Sequence, residues 1–131
     1  MSRCVADASV VVAYLLGVAT ADERAAMLGE PHAPALLDVE VTLTLRGLVR
    51  GGKLDLAAAE IAREELGQLG VARHPDAPLL RRCWDLRDVC STYDALYVAL
   101  AEALGAPLLT RDAPLGRDVA NLVETHLFNA R

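Results

Sequence analysis

Short apolar runs alternate with helix-length segments along this chain, and that alternation restricts its fold more than any other feature. Arg3-Cys4-Val5-Ala6 is a short apolar run that stops at Asp7. Asp7-Ala8-Ser9 then opens an apolar segment to Leu16, with Gly17 as its stop: strand, turn, helix. A second helix is predicted over Ala21 to Leu28, and His32-Ala33 before Pro34 reads as a second strand. Residues 35–50 fit two periods. Val39, Val41, Leu43 and Leu45 alternate with polar residues as in a strand, whereas Leu37, Val41, Leu45 and Leu48 share one helical face. Pro34 before the segment, Gly51-Gly52 after it and its length favour a helix. Further helices are predicted over Leu56 to Leu69, Asp76 to Leu86 and Tyr93 to Leu104, the last apolar nearly all round and therefore buried. Strands are predicted at Val71-Ala72-Arg73, Leu108-Leu109 and Leu122-Val123. Such alternation implies a parallel sheet with right-handed crossovers. The expected fold is α/β: a single domain over residues 1–131, with a central parallel sheet of about five short strands flanked by helices.

Hydrophobic residues make up 53% of the chain but aromatics only 4%, so the core is made of Ala, Leu and Val. That diet suits helices on a sheet buried on both faces, not a sandwich. A chain of 131 residues can bury about two-thirds of its unfolded surface and needs no disulfide or structural metal to fold. The net charge is −5, with 13 basic and 18 acidic side chains, which argues against holding nucleic acid by bulk attraction. Contact with nucleic acid would need a cation over the acids or a local basic rim. Three cysteines, Cys4, Cys83 and Cys90, form no close pair and no zinc spacing, so they read as packing residues in a reducing compartment. His32, His74 and His126 likewise show no metal spacing. The apolar stretch from Val5 to Val18 is interrupted by Asp7 and is too short to cross a bilayer, so a soluble, cytoplasmic protein is expected.

Four carboxylates stand out, each with an ordinary reading beside a chemical one. Asp7 and Asp112 follow strands and precede helices, as N-caps do. Ser91 and Asp94 have capping-box spacing, yet the helix they begin is expected to be buried, where a carboxylate is costly unless paired or metal-bound. Glu40 lies among apolar residues on a helix, facing away from Asp38, where the bland reading is a solvated residue. Ligands of open α/β sheets gather at the carboxyl ends of the strands, where Asp7 and Asp112 sit. Like charges in one cleft need a compensating cation. Oxygen-only ligands suit Mg2+ or Mn2+, and such a site can activate water for in-line displacement at phosphorus. Arg46, Arg50 and Lys53 share a helical stripe or its end, suited to phosphates, to an acidic partner or simply to solvent. Arg81, Arg82 and Arg87 are weaker candidates of the same kind. Arg111 is open to pairing with a neighbour or to substrate contact. Trp84, with Leu80 four residues before it, reads as packing, as at a dimer contact.

Val5-Ala6-Asp7-Ala8-Ser9, Asp38-Val39-Glu40-Val41, Thr92-Tyr93-Asp94-Ala95-Leu96-Tyr97-Val98-Ala99-Leu100-Ala101 and Leu108-Leu109-Thr110-Arg111-Asp112 resemble, in order and spacing, the successive motifs of PIN-domain proteins. The likeness is to the VapC toxins of prokaryotic toxin–antitoxin pairs, and it spans almost the whole chain. It implies a three-layer PIN-like domain and endoribonuclease activity with Mg2+ or Mn2+. It carries the metal-site role onto Asp7, Glu40, Asp94 and Asp112, with Ser9 and Thr110 in supporting positions. It also implies an RNA substrate, a homodimer and a cognate antitoxin whose tail enters the active-site groove. The family's basic residue after the fourth acid is missing; Pro114 occupies that stretch, and Asp118 beyond it is a candidate extra acid. Two other readings use the same residues. One is a catalytically silent interaction or RNA-binding module whose acids serve only as caps. The other is a metal-dependent phosphoesterase for DNA or a small phosphate ester.

Overall fold

The computed structural model describes residues 2–128, so Met1 and the final residues of the expected 1–131 domain lie outside the described residues. The elements are β1 (Arg3–Ala6), α1 (Ala8–Leu15), α2 (Ala21–Met27), β2 (Glu30–Pro34), α3 (Leu36–Arg50), α4 (Leu56–Gln68) and β3 (Ala72–His74). A 3-10 turn (Ala77–Leu79) leads into α5 (Leu80–Asp85), followed by α6 (Thr92–Leu104), β4 (Leu108–Thr110), α7 (Ala113–Val119) and β5 (Thr125–Leu127).

The strands form one sheet in the order β3-β2-β1-β4-β5, every neighbouring pair parallel. From β1 the chain steps outward to β2 and β3, then returns past β1 to build β4 and β5. Right-handed crossovers therefore put the helices of the two halves on opposite faces. The strand order reverses between β1 and β4, which pair Val5 with Leu108 and Ala6 with Leu109. The carboxyl ends of these two strands define the crevice where α/β sheets bind ligands. Both are buried wherever they run through the core: Val5, Ala6 and Leu108 have no exposed surface. Helix α6 packs across β1, β2 and β4, and its run from Ala95 to Ala101 is buried on all sides. It ends at Gly105, whose φ of 60° is a left-handed conformation that costs glycine nothing.

Helix α3 settles the ambiguous segment. Leu37, Val41 and Leu45 face the core, while Val39 and Leu43, which a strand would have buried with them, are exposed. Its first residue has no side-chain cap of its own; Asp76 Oδ1 accepts the Leu36 N–H from across the fold at 3.2 Å. Three expectations need correction. Leu122-Val123 is not a strand: both N–H groups turn back to the Val119 carbonyl, and the strand is the exposed Thr125–Leu127 beyond. The second strand runs over Glu30–Pro34, through two prolines that remove ladder donors. The helix expected over Asp76 to Leu86 is shorter, because Pro78 sits in a 3-10 turn ahead of α5. His32 is a mid-strand residue whose Nδ1 lies 2.8 Å from His74 Nε2 on β3, so the two rings share a hydrogen bond.

Leu108 pairs with both β1 and β5 and is fully buried. Leu108→Ala should lower the unfolding free energy by about 2–5 kcal/mol, read as a fall in the urea midpoint at unchanged m-value.

Candidate active site

Asp7 is the first residue beyond β1 and the N-cap of α1, its Oδ1 accepting the Val10 N–H at 3.2 Å. It is only 7% exposed. Two hydroxyls hold it: Ser9 Oγ donates to Oδ1 and Thr110 Oγ1 to Oδ2, each at 2.5 Å. Each hydroxyl is itself fixed from behind. The Arg111 N–H donates to Ser9 Oγ and the Asp112 N–H donates to Thr110 Oγ1, both at 3.0 Å. A hydroxyl has one proton, so with a backbone N–H on its acceptor side it is oriented to give that proton to Asp7. Oδ1 then has both lone pairs in use, and Oδ2 keeps one free.

Burial pushes the Asp7 carboxyl up to about 6, against the three hydrogen bonds that favour its charge, and Asp94 adds to the rise. Asp94 is half-buried in the first turn of α6, where only one half of the capping box forms: Ser91 Oγ accepts the Asp94 N–H at 3.1 Å. Burial and the charge of Asp112 raise the Asp94 carboxyl. Glu40 on α3 is raised by burial and by Asp94, while the Tyr97 hydroxyl opposes the rise. Tyr97 is 1% exposed, and its hydroxyl sits beside Glu40 just outside hydrogen-bonding geometry, without another partner among the described residues. Asp112 is exposed and caps α7, its Oδ1 accepting the Leu115 N–H at 3.0 Å.

The charge of Asp94 thus raises both Asp7 and Glu40 and is itself met by that of Asp112, and of the four acids Asp7 and Asp112 directly follow β1 and β4. Among the described residues, no three His, Cys, Asp or Glu side chains converge closely enough to hold one metal ion by themselves. The donors are hard oxygens of one charge, so a cation that fits here is one that rests on a few carboxylates and keeps much of its water, as Mg2+ does.

The sequence profile of the PIN domain matches residues 4–117. The chain belongs to the PIN-domain family. Over 119 residues it is 43% identical to ribonuclease VapC1 of Mycobacterium tuberculosis (strain ATCC 25618 / H37Rv), covering 88% of this chain and 90% of that protein. Over 86 residues it is 46% identical to ribonuclease VapC3 of the same strain; that match takes in 66% of this chain and spans 63% of the length of VapC3. PAE2754 from Pyrobaculum aerophilum shares the fold with a TM-score of 0.73 at 22% identity, over 95% of this chain and 83% of that one. FitAcB from Neisseria gonorrhoeae does so with a TM-score of 0.66 at 16% identity, over 93% and 95% of the two chains.

In this PIN domain Asp38 is occupied by a two-pronged pair with Arg73, at 2.9 and 3.3 Å, which leaves Glu40 as the acid that α3 presents. Asp118 is an exposed residue of α7 whose charge reaches Cys90. Arg46 and Arg50 line an apolar groove of about 260 Å³ between α3 and α4, away from the acids. Arg87 lies over the ring of Trp84 at 4.9 Å, and Trp84 is 64% exposed on this chain. Arg111 turns from the acids to Glu23, a fully buried residue that sequence reasoning missed although Thr20 and Glu23 have capping-box spacing. Arg111 holds the Glu23 carboxyl below the usual carboxylate range.

Asp7→Asn removes a charge that the metal-free fold holds at a cost. The rise from the ordinary 3.8 to about 6 bounds that cost at roughly 3 kcal/mol. The folded value lies above the unfolded one, so the parent loses stability as pH rises through this window. The Asn amide also meets a hydroxyl oriented to donate, a cost that does not vary with pH, so in EDTA the melting temperature of the variant relative to the parent should rise by circular dichroism as pH goes from about 4 to 8.

Proposed function

We propose that this PIN domain is a metal-dependent endoribonuclease that hydrolyses RNA phosphodiester bonds, with Mg2+ as its cofactor and Mn2+ as a substitute. The observation that carries this reading is Asp7: dehydrated, gripped by two oriented hydroxyls, charged against Asp94, and with one Oδ2 lone pair left open. The names of VapC1 and VapC3 support the ribonuclease reading. The toxin role, a homodimer and a cognate antitoxin follow from the likeness to VapC toxins. The three free cysteines suit a reducing cytoplasm, and no described helix is long and apolar enough to cross a membrane.

Asp7, Asp94 and Asp112 would hold the cation, and Glu40 would complete the set or orient water. When bound, the cation acidifies water and offsets charge developing on the phosphate. Ser9 and Thr110 keep Asp7 in one orientation. In the second of these roles Glu40, half-buried on α3, would accept a hydrogen bond from the attacking water and so turn its lone pair toward phosphorus. Because water and not the ribose 2′-hydroxyl attacks, the products carry 3′-hydroxyl and 5′-phosphate ends. With a chain as acidic as this one, the cation also makes approach of the RNA backbone possible.

The test is cleavage of a mixed pool of structured RNA by purified, partner-free protein, with Mg2+, with Mn2+ and with EDTA. Cleavage should require metal and leave 5′-phosphate ends, and Asp94→Asn should reduce it by about 100-fold or more. Cleavage indifferent to EDTA and to Asp94→Asn, or cleavage of DNA in preference to RNA, would overturn the reading.

A further inference from the structure

Glu23 and Arg111 form an ion pair that the proposed chemistry does not use. Arg111 Nε donates to Glu23 Oε2 and its Nη2 to Oε1, both at 2.7 Å, and Nη2 also reaches the Val18 carbonyl at 3.3 Å. The Glu23 side chain is 0% exposed and that of Arg111 13%. Glu23 is immobile for a second reason: Oε1 accepts the Thr20 N–H at 2.9 Å, and its own N–H donates to Thr20 Oγ1 at 3.2 Å, the capping box of α2. A buried pair of this kind is weak as a source of stability, since an apolar pair of similar volume serves as well or better. Its location is more informative. Arg111 stands between Thr110, whose hydroxyl holds Asp7 Oδ2, and Asp112; its own N–H fixes Ser9 Oγ. The two N–H groups that orient both hydroxyls therefore belong to the residue anchored by Glu23 and to the one after it.

We propose that Glu23 and Arg111 are positioning residues, their ion pair holding the backbone of residues 110–112 so that Ser9 and Thr110 present Asp7 to a divalent cation in one geometry. This deepens the ribonuclease reading and rests on it for the role of the cation. Arg111 acts through its backbone and touches neither cation nor RNA. Lysine cannot replace it, because one ammonium cannot reproduce the two-pronged contact.

The decisive variant is the double substitution Glu23→Leu with Arg111→Met, which removes the pair without leaving a buried charge unpaired; Arg111→Lys is its companion. Four measurements are made on purified, partner-free protein: Mn2+ affinity by electron paramagnetic resonance, the kinetics of RNA cleavage (kcat and KM), amide exchange at Arg111 and Asp112 relative to Leu109, and the melting temperature. Mn2+ affinity and kcat should each fall about 10- to 100-fold in the double variant with KM little changed, and the two amides should exchange faster while the melting temperature falls by no more than the lost Thr20 cap explains. Arg111→Lys should recover only part of the loss. A folded double variant with parental Mn2+ affinity and kcat, a rise confined to KM, or unchanged exchange at the two amides would overturn the proposal. A parent that neither binds Mn2+ nor cleaves RNA would sink the ribonuclease reading instead, and exchange would still decide whether the pair holds the segment.

Discussion

The pairing of β1 with β4 is the contact on which the rest of the molecule depends. Each strand is only three or four residues long, so few ladder bonds hold them together. What fixes them is burial on both faces, by α1 and by α6, with Val5, Ala6 and Leu108 sealed from solvent. The reversal of strand order at this seam leaves the carboxyl ends of both strands open. The chain puts an acid just beyond each, Asp7 after β1 and Asp112 after β4. Residues more than a hundred positions apart then share hydroxyl and backbone hydrogen bonds.

That seam brings charge into an apolar setting, and the structure answers with hydrogen bonds rather than with a counter-charge. Three arginines are committed to other acids: Arg111 to Glu23, Arg73 to Asp38, Arg82 to Glu102. The acids are therefore left with one another, joined through Asp94. A cleft of this kind is selective by default. It repels anions, and its oxygen donors would favour hard cations over soft ones.

Much of this could be read from the sequence, because the informative signals were local. Asp7 follows an apolar run and precedes small residues; α6 is apolar on every face; Gly105 and Pro107 punctuate its end. Asp7, Asp94 and Asp112 are each visible as caps and Glu40 as an acid set among apolar residues, and for Asp7 and Asp112 capping is part of what they do. The misreadings share another cause. The β2 strand contains two prolines, and β5 is an edge strand of Thr, His and Leu with little buried surface, so neither carries an apolar period. The partnership of Glu23 with Arg111 spans 88 positions, and its only local trace is a capping box whose second function cannot be seen from spacing. Tyr97 has no signal of its own within the apolar run of α6. Its hydroxyl matters only because α3 brings Glu40 beside it.

Asp7 and Asp112 each use Oδ1 to cap a helix. One carboxylate thus serves architecture with one atom and has the other for chemistry, wholly free in Asp112 and half free in Asp7 among the described residues. An asparagine keeps the capping oxygen and discards the charge, and aspartate and asparagine codons differ by a single base. The fold can therefore outlive its activity by one mutation. A lineage in which that substitution spread would keep both capped helices and the core they pack on.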